Sequence, residues 1–285
     1  MKIMPPSLAS YRPRCLNDLV RLGRDADGGY VINQAAILHS RYLISLGLGN
    51  DWSFEADFRK RKPEIKILCF DHSVSRDIFR GRLSNALNEI LSLRFLTLLL
   101  LGRWRAAWQR LREVKKAARL YFDFRSFCAG ENVRCFQQGV SNENGPGFIT
   151  LGDIFSMLQK DGIAKNSVFI KMDIEQSEFR ILPDLEPFAE YVSGMAVEFH
   201  ELDILWPNFA GMVNQLRDKF EVTHIHGNNW ARLIPGSATP SVLEVTFLNK
   251  DLMHGQQESR ARESYPIPGL DWPNDPGKPD YRLEF

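Results

Sequence analysis

The sequence of 285 residues has no CxxC pair among its four cysteines, no apolar run of spanning length and almost no net charge. Each shortage excludes something. Cys15, Cys69, Cys128 and Cys135 are too scattered for a zinc-ligand pattern. Cys69, inside the apolar run IKILCF, reads as a small buried hydrophobe. That usage predicts a reducing, cytoplasmic setting. The greasiest stretch, FLTLLLLG at 95–102, is far short of the ~20 residues a spanning helix needs. The opening segment MKIMPPSLASYRPR carries prolines and no apolar core, so no signal peptide is expected. A formal charge of +1 is uninformative as an average, but its distribution is uneven. Between Arg76 and Arg125 twelve Lys/Arg stand against four acids, a local charge of +8 that leaves −7 for the rest.

What is present is a regular alternation. Short apolar runs rich in β-branched residues fall at 41–47, 65–71, 132–140, 167–173, 194–200, 221–227 and 241–248, separated mostly by helix-compatible segments. The pattern predicts an α/β fold with an open, mostly parallel sheet and helices on both faces. Between the last two runs there is no helix-length pattern, which predicts an antiparallel pair at one edge. Three parts lie outside this scheme. Residues 1–40 form an N-terminal extension whose LVRLGRDADGGYVINQ stretch reads as a small hairpin with a Gly-Gly turn. Residues 76–127 are a basic helical insertion within a 41–250 domain. Residues 251–285 are a polar, then proline-rich tail expected to lie over the surface.

Five stretches carry candidate chemistry. In ISLGLGNDWSFE, Gly47 and Gly49 follow a strand, and Asn50 or Asp51 is placed to cap a helix whose N-terminus offers free N–H groups. In IKILCFDHS, Asp71 ends the next strand about 20 residues on, a spacing suited to a ribose diol. In IKMDIEQSEF, Asp173 closes a buried strand at the sheet edge where open α/β folds bind ligands, while Glu178 suits the first turn of a helix. In AVEFHELD, Glu198 and His200 share one side of a strand. With Asp173 they could hold a divalent metal, or His200 could be a base oriented by a carboxylate, or the His and Glu could simply pair. In HIHGNNW, His224 and His226 alternate, and Asn228, Asn229 and Trp230 have the character of polar and stacking contacts to a hydroxylated ligand.

Taken in order, RLGRDADGGYVI, YLISLGLGNDWSFEADF, FIKMDIEQSEFRIL, AVEFHELD and HIHGNNW with PSVLEVTFL resemble successive blocks of the FkbM family of S-adenosylmethionine-dependent methyltransferases. The likeness runs from about residue 19 to 250 and omits the basic block. It implies a Rossmann-like class I methyltransferase sheet of seven strands, cofactor contacts around Gly47, Gly49, Asn50, Glu55 and Asp71, and O-methylation, often of a sugar hydroxyl. Family members usually have glycine where this chain has Gln176. Methyl transfer to an alkyl hydroxyl requires an aimed oxygen and a proton acceptor, or a metal such as Mg²⁺ that acidifies the alcohol. His200 is the first candidate base and His226 the second. Asp173 and Glu198 are then the residues to orient the base or, with His200, to ligate the metal.

Two rival classes stay open: a metal-dependent hydrolase using the Asp/Glu/His set, and a non-catalytic cofactor-binding scaffold. In the insertion, Trp104, Trp108, Leu111 and Ala118 recur at helical spacing among Arg and Lys. A lid, a homodimer contact and a peripheral membrane contact all suit such a helix. A nucleic-acid role does not, because the rest of the chain is acidic.

Overall fold

The computed structural model describes residues 7–254 and 265–285. A hairpin of β1 (Leu19–Leu22) and β2 (Tyr30–Asn33) leads through α1 (Gln34–His39) to β3 (Tyr42–Leu46), α2 (Ser53–Arg61) and β4 (Lys66–Phe70). The insertion follows as α3 (Arg76–Leu91), α4 (Leu93–Leu100) and α5 (Trp104–Cys128). Then come β5 (Val133–Phe136), the short β6 (Gly139–Val140) and β7 (Phe148–Ile149), α6 (Leu151–Lys160) and β8 (Val168–Met172). The chain continues as α7 (Glu178–Ile181), a 3-10 segment to Tyr191, β9 (Val192–Phe199), α8 (Leu202–Leu216), β10 (Phe220–Gly227) and β11 (Leu243–Asn249).

The seven-stranded sheet runs β10-β11-β9-β8-β3-β4-β5. From β5 to β9 all neighbours are parallel, and β11 is antiparallel to both β9 and β10. This is the Rossmann-like class I methyltransferase arrangement. The chain order reverses between β3 and β8, the switch point at which open α/β sheets leave a crevice beyond their strand ends. Every residue of β3, β8, β9 and β11 is buried, so these strands read as apolar runs rather than as alternations. Alternate side chains still divide between two cores. Ile44, Leu46, Ile170 and Met172 face the α6 and α8 side, whereas Leu43, Ile67 and Phe169 meet Phe54 and Phe58 of α2.

Three details differ from the sequence reading. The run at 132–140 is two strands, with β6 leaving the sheet to pair with β7. Neither Asn50 nor Asp51 occupies the cap position of α2; Trp52 does, and Asn50 instead accepts a hydrogen bond from Arg82 of α3 at 2.8 Å. The tail is not merely laid over the surface: Tyr265 and Asn274 are buried, and Tyr265 and Leu283 belong to the main core. Cys128 and Cys135 form a disulfide joining the root of α5 to β5.

Candidate active site

β3 ends in a turn that must pass directly over the end of β8. Gly47 has φ +80°, and a Cβ there would collide with the Asp173 carbonyl oxygen. Only glycine meets both demands. Replacing Gly47 by alanine should therefore cost roughly 2–3 kcal/mol of stability, read as a lower denaturation midpoint. Gly49 also has positive φ, yet an added Cβ would meet nothing within 4 Å, so its outer side is open space.

The amides of this turn are not free. Asp71 Oδ2 accepts from Leu48 N at 2.9 Å and Gly49 N at 2.8 Å, and its Oδ1 accepts from the backbone and hydroxyl of Ser73. Burial would raise the Asp71 pKa, but these four donors outweigh it and hold the carboxyl below its usual range. Asp71 is thus a clamp on the glycine turn, and the ribose contact expected of it would require one of these bonds to be exchanged. The Leu48 and Gly49 amides are therefore already committed and would not be offered to a phosphate.

Beyond the turn lies a cleft of about 1540 Å³, walled by the Gly47–Ala56 segment, Asp71, Lys171 and Asp173 on the sheet side and by Phe79, Lys116 and Leu120 of the insertion. Glu55 is buried at its floor. One of its oxygens accepts from Ser45 Oγ at 2.5 Å and the other has no partner. Burial raises the Glu55 pKa even though Lys171 and Ser45 counter it. Lys171, also buried, donates to the Gly47 carbonyl at 2.6 Å and lies 3.5 Å from Asp173. Burial alone would discharge this ammonium, but Asp173, Glu55 and Glu198 together keep its pKa above the ordinary lysine value.

At the rim of the cleft β8 and β9 deliver the remaining groups. His200 Nδ1 lies 3.0 Å from Glu178 Oε1, while Nε2 points towards Asp173 and Glu175 at 3.9 and 3.8 Å. Ligand atoms of Asp173, Glu175 and His200 lie within 4.8 Å of one another. Burial pushes the imidazole pKa down, yet the Glu178 hydrogen bond and the nearby Glu198 and Asp173 raise it to about 9. His200 is therefore an imidazolium at neutral pH. Glu175, Gln176 and Glu201 all have left-handed φ, at 51°, 76° and 53°. Gln176, the position where the resembling family has glycine, donates across to Glu201 at 2.7 Å and so ties the loop after β8 to the loop after β9.

No family model matches the chain, and no curated protein matches it. Among solved structures, 24 chains match. They include a precorrin-6y C5,15-methyltransferase from Geobacter metallireducens, 10% identical over 75% of this chain and 86% of that one, with a TM-score of 0.34. A Methanococcus jannaschii fibrillarin pre-rRNA processing protein is 8% identical over 78% of each chain, also at 0.34. A variant 16S rRNA (adenine(1408)-N(1))-methyltransferase from Catenulisporales acidiphilia is 13% identical over 81% of this chain and 97% of that one, at 0.29. At these values the fold rests on the strand order described above.

The sequence-derived residues separate into two groups. Gly47, Gly49, Asn50, Glu55, Asp71 and Asp173 line the cleft, and His200 joins Asp173 at its rim. Glu198 does not belong to the metal-compatible group: Asn228 donates to it at 2.7 Å and Tyr30 Oη lies 3.2 Å away. Burial, Asp173 and the opposing Glu244 push the Glu198 pKa well up. His226 is no base. It is buried between Glu244 at 3.1 Å and Asp280 of the tail at 2.9 Å, so both ring nitrogens are engaged. Asn229 is spent on tail backbone groups of Asp275, Lys278 and Pro279, leaving Trp230, 59% exposed, as the one of the three substrate candidates with a free surface.

Three contributors escape a sequence reading. Tyr30 comes from the extension, and its hydroxyl reaches both Asp173 and Glu198. Lys171 looks like an anomaly in an apolar strand. Glu178, expected in a solvated helix turn, is fully buried and accepts from Ile174 N and His200. The density of acids around AVEFH and IKMDIEQSE was the only available signal for Lys171 and Glu178.

Proposed function

We propose that this chain is an S-adenosylmethionine-dependent methyltransferase of the FkbM type, acting on a hydroxyl group of a sugar or glycan. The observation that carries the reading is the switch-point cleft, with its close-approach glycine turn on one side and the His200–Asp173 pair at its rim. The residues fit the cofactor. Gly49 leaves space for a ligand to approach the backbone, and Glu55 offers a buried oxygen without a partner. A turn whose amides are committed to Asp71 suits a nucleoside ligand without phosphates better than a dinucleotide. The acids Glu55, Asp173 and Glu198 around Lys171 suit a cationic sulfonium. When bound, the cofactor supplies the electrophilic methyl group.

The chain's own residues supply orientation and proton handling. Glu178 fixes the His200 ring through Nδ1, which leaves Nε2 facing the rim. As an imidazolium His200 cannot accept a proton, so it acts as base only after losing one. Asp173, Glu175 and His200 also fit a divalent cation, with Glu178 behind the histidine as metal-bound imidazoles commonly require. Such an ion would take the place of the ring proton and lower the pKa of an acceptor hydroxyl.

Calorimetric titration of S-adenosylhomocysteine into the purified protein, with magnesium and then with EDTA, is the direct check. One-to-one binding is expected under both conditions, because the metal-compatible residues lie at the acceptor rim. No binding under either condition would remove the reading, and the hydrolase and scaffold alternatives would take its place.

A further inference from the structure

The insertion does two things at once. Its near part, α3 and the C-terminal half of α5, closes one side of the cleft, and Phe79, Phe124 and Phe127 anchor it against Trp52. Its far part, α4 and the start of α5, has no such anchor. α4 buries none of its eight residues although its sequence is LRFLTLLL. Leu91, Leu93, Leu100 and Leu101 are 72–83% exposed, and Trp104 and Trp108 are about 60% exposed. Water-facing leucines in this number are far outside what a soluble surface ordinarily carries.

The charge around this apolar tip is of one sign. Residues 91–112 contain Arg94, Arg103, Arg105, Arg110 and Arg112 and no acid. Arg110 is paired with Glu89, whereas Arg94, Arg103 and Arg105 have no ion-pair partner among the described residues. Leucines at the apex, tryptophans at its shoulder and arginines on the same turns match the layering of acyl chain, interface and phosphate. A second copy of the chain suits the patch less well, since a two-fold contact would set the arginines against themselves. No single helix among the described residues is long and apolar enough to cross a membrane, and α3 and α4 reach that composition only as a pair bent by 49°.

We infer that the α4–α5 tip, centred on Leu96, Leu100, Trp104 and Arg103, docks the protein on an anionic lipid bilayer. The inference is independent of the methyl-transfer reading. It is tested by floating the full chain with phosphatidylcholine vesicles and with vesicles of phosphatidylcholine and phosphatidylglycerol. The wild-type chain should float with the mixed vesicles and lose partitioning as salt is raised. Charge reversal at Arg103 and Arg105 together should lower partitioning by roughly tenfold or more. Leu96→Glu with Leu100→Glu should abolish it. Both leucines are exposed, so the variant should keep the wild-type circular dichroism spectrum and S-adenosylhomocysteine response. Quenching of Trp104 and Trp108 fluorescence by brominated phosphatidylcholine in mixed vesicles, compared with Trp104→Phe/Trp108→Phe, reads insertion in a chain with the leucine tip intact. Wild-type protein that ignores both vesicle types would overturn the inference. So would a Leu96→Glu/Leu100→Glu chain that floats normally. A wild-type dimer that the leucine variant turns into monomer, without any vesicle binding, would assign the patch to a second copy instead.

Discussion

Replacing His200 by alanine is expected to lower methyl transfer by roughly 10²–10⁴-fold while changing S-adenosylhomocysteine affinity by less than about threefold. The separation follows from position. Gly47, Gly49, Glu55 and Asp71 form the cleft proper, whereas His200 stands at its rim behind Asp173. Losing the ring removes the group whose Nε2 faces the acceptor side and leaves the floor of the cleft untouched. Added imidazole should restore part of the rate in His200→Ala, which loss of a merely structural contact would not permit. Parallel loss of affinity and turnover would instead show that the ring holds the β8 and β9 loops together, as Gln176 and Glu201 do.

Replacing His226 by phenylalanine should have the largest effect on stability, about 3–5 kcal/mol by urea denaturation. The ring separates two carboxylates, Glu244 in the sheet and Asp280 in the tail, and both would be left facing an apolar group. The same site makes stability depend on pH in a stated direction. Burial opposes the charge on His226, but the Asp280 and Glu244 hydrogen bonds raise its pKa to about 10, against 6.5 for the free residue. The folded state then binds the proton more tightly than the unfolded state. Its contribution is complete below pH 6.5 and fades as pH rises towards about 10. Denaturation midpoints of the wild-type chain should fall across that window, and those of His226→Phe should fall much less. Proteolysis of the tail should speed up over the same range, since Asp280 is one of its anchors.

The central strands were legible because β3, β8, β9 and β11 are buried on both faces and so stand out as apolar runs between polar segments. β8 and β9 matched their apolar runs to within two residues at each end, and the edge pair β10–β11 was betrayed by its helix-free connection. The site was only half legible. Gly47 and Asp173 announce themselves by position in the strand–turn pattern. Glu178 does not, because a buried carboxylate on a one-turn helix has the same local sequence as a solvated one. His226 misled for a related reason: its partners, Glu244 and Asp280, lie 18 and 54 residues away, and no local pattern separates a base from a tail clamp. Tyr30 was hidden by the same distance, since its partners are 143 and 168 residues along the chain.

The helix α5 is also a ruler. It has 25 residues, with Trp104 at its free end and Lys116 in the cleft wall twelve residues later. At the rise of an α-helix that interval is roughly 18 Å. With the tip docked as inferred above and α5 standing off the bilayer, a hydroxyl fixed at headgroup level would stop short of the cleft by most of that length. On the same proposal one carried outward on a chain of several sugar units would span it, so α5 would select acceptors by reach.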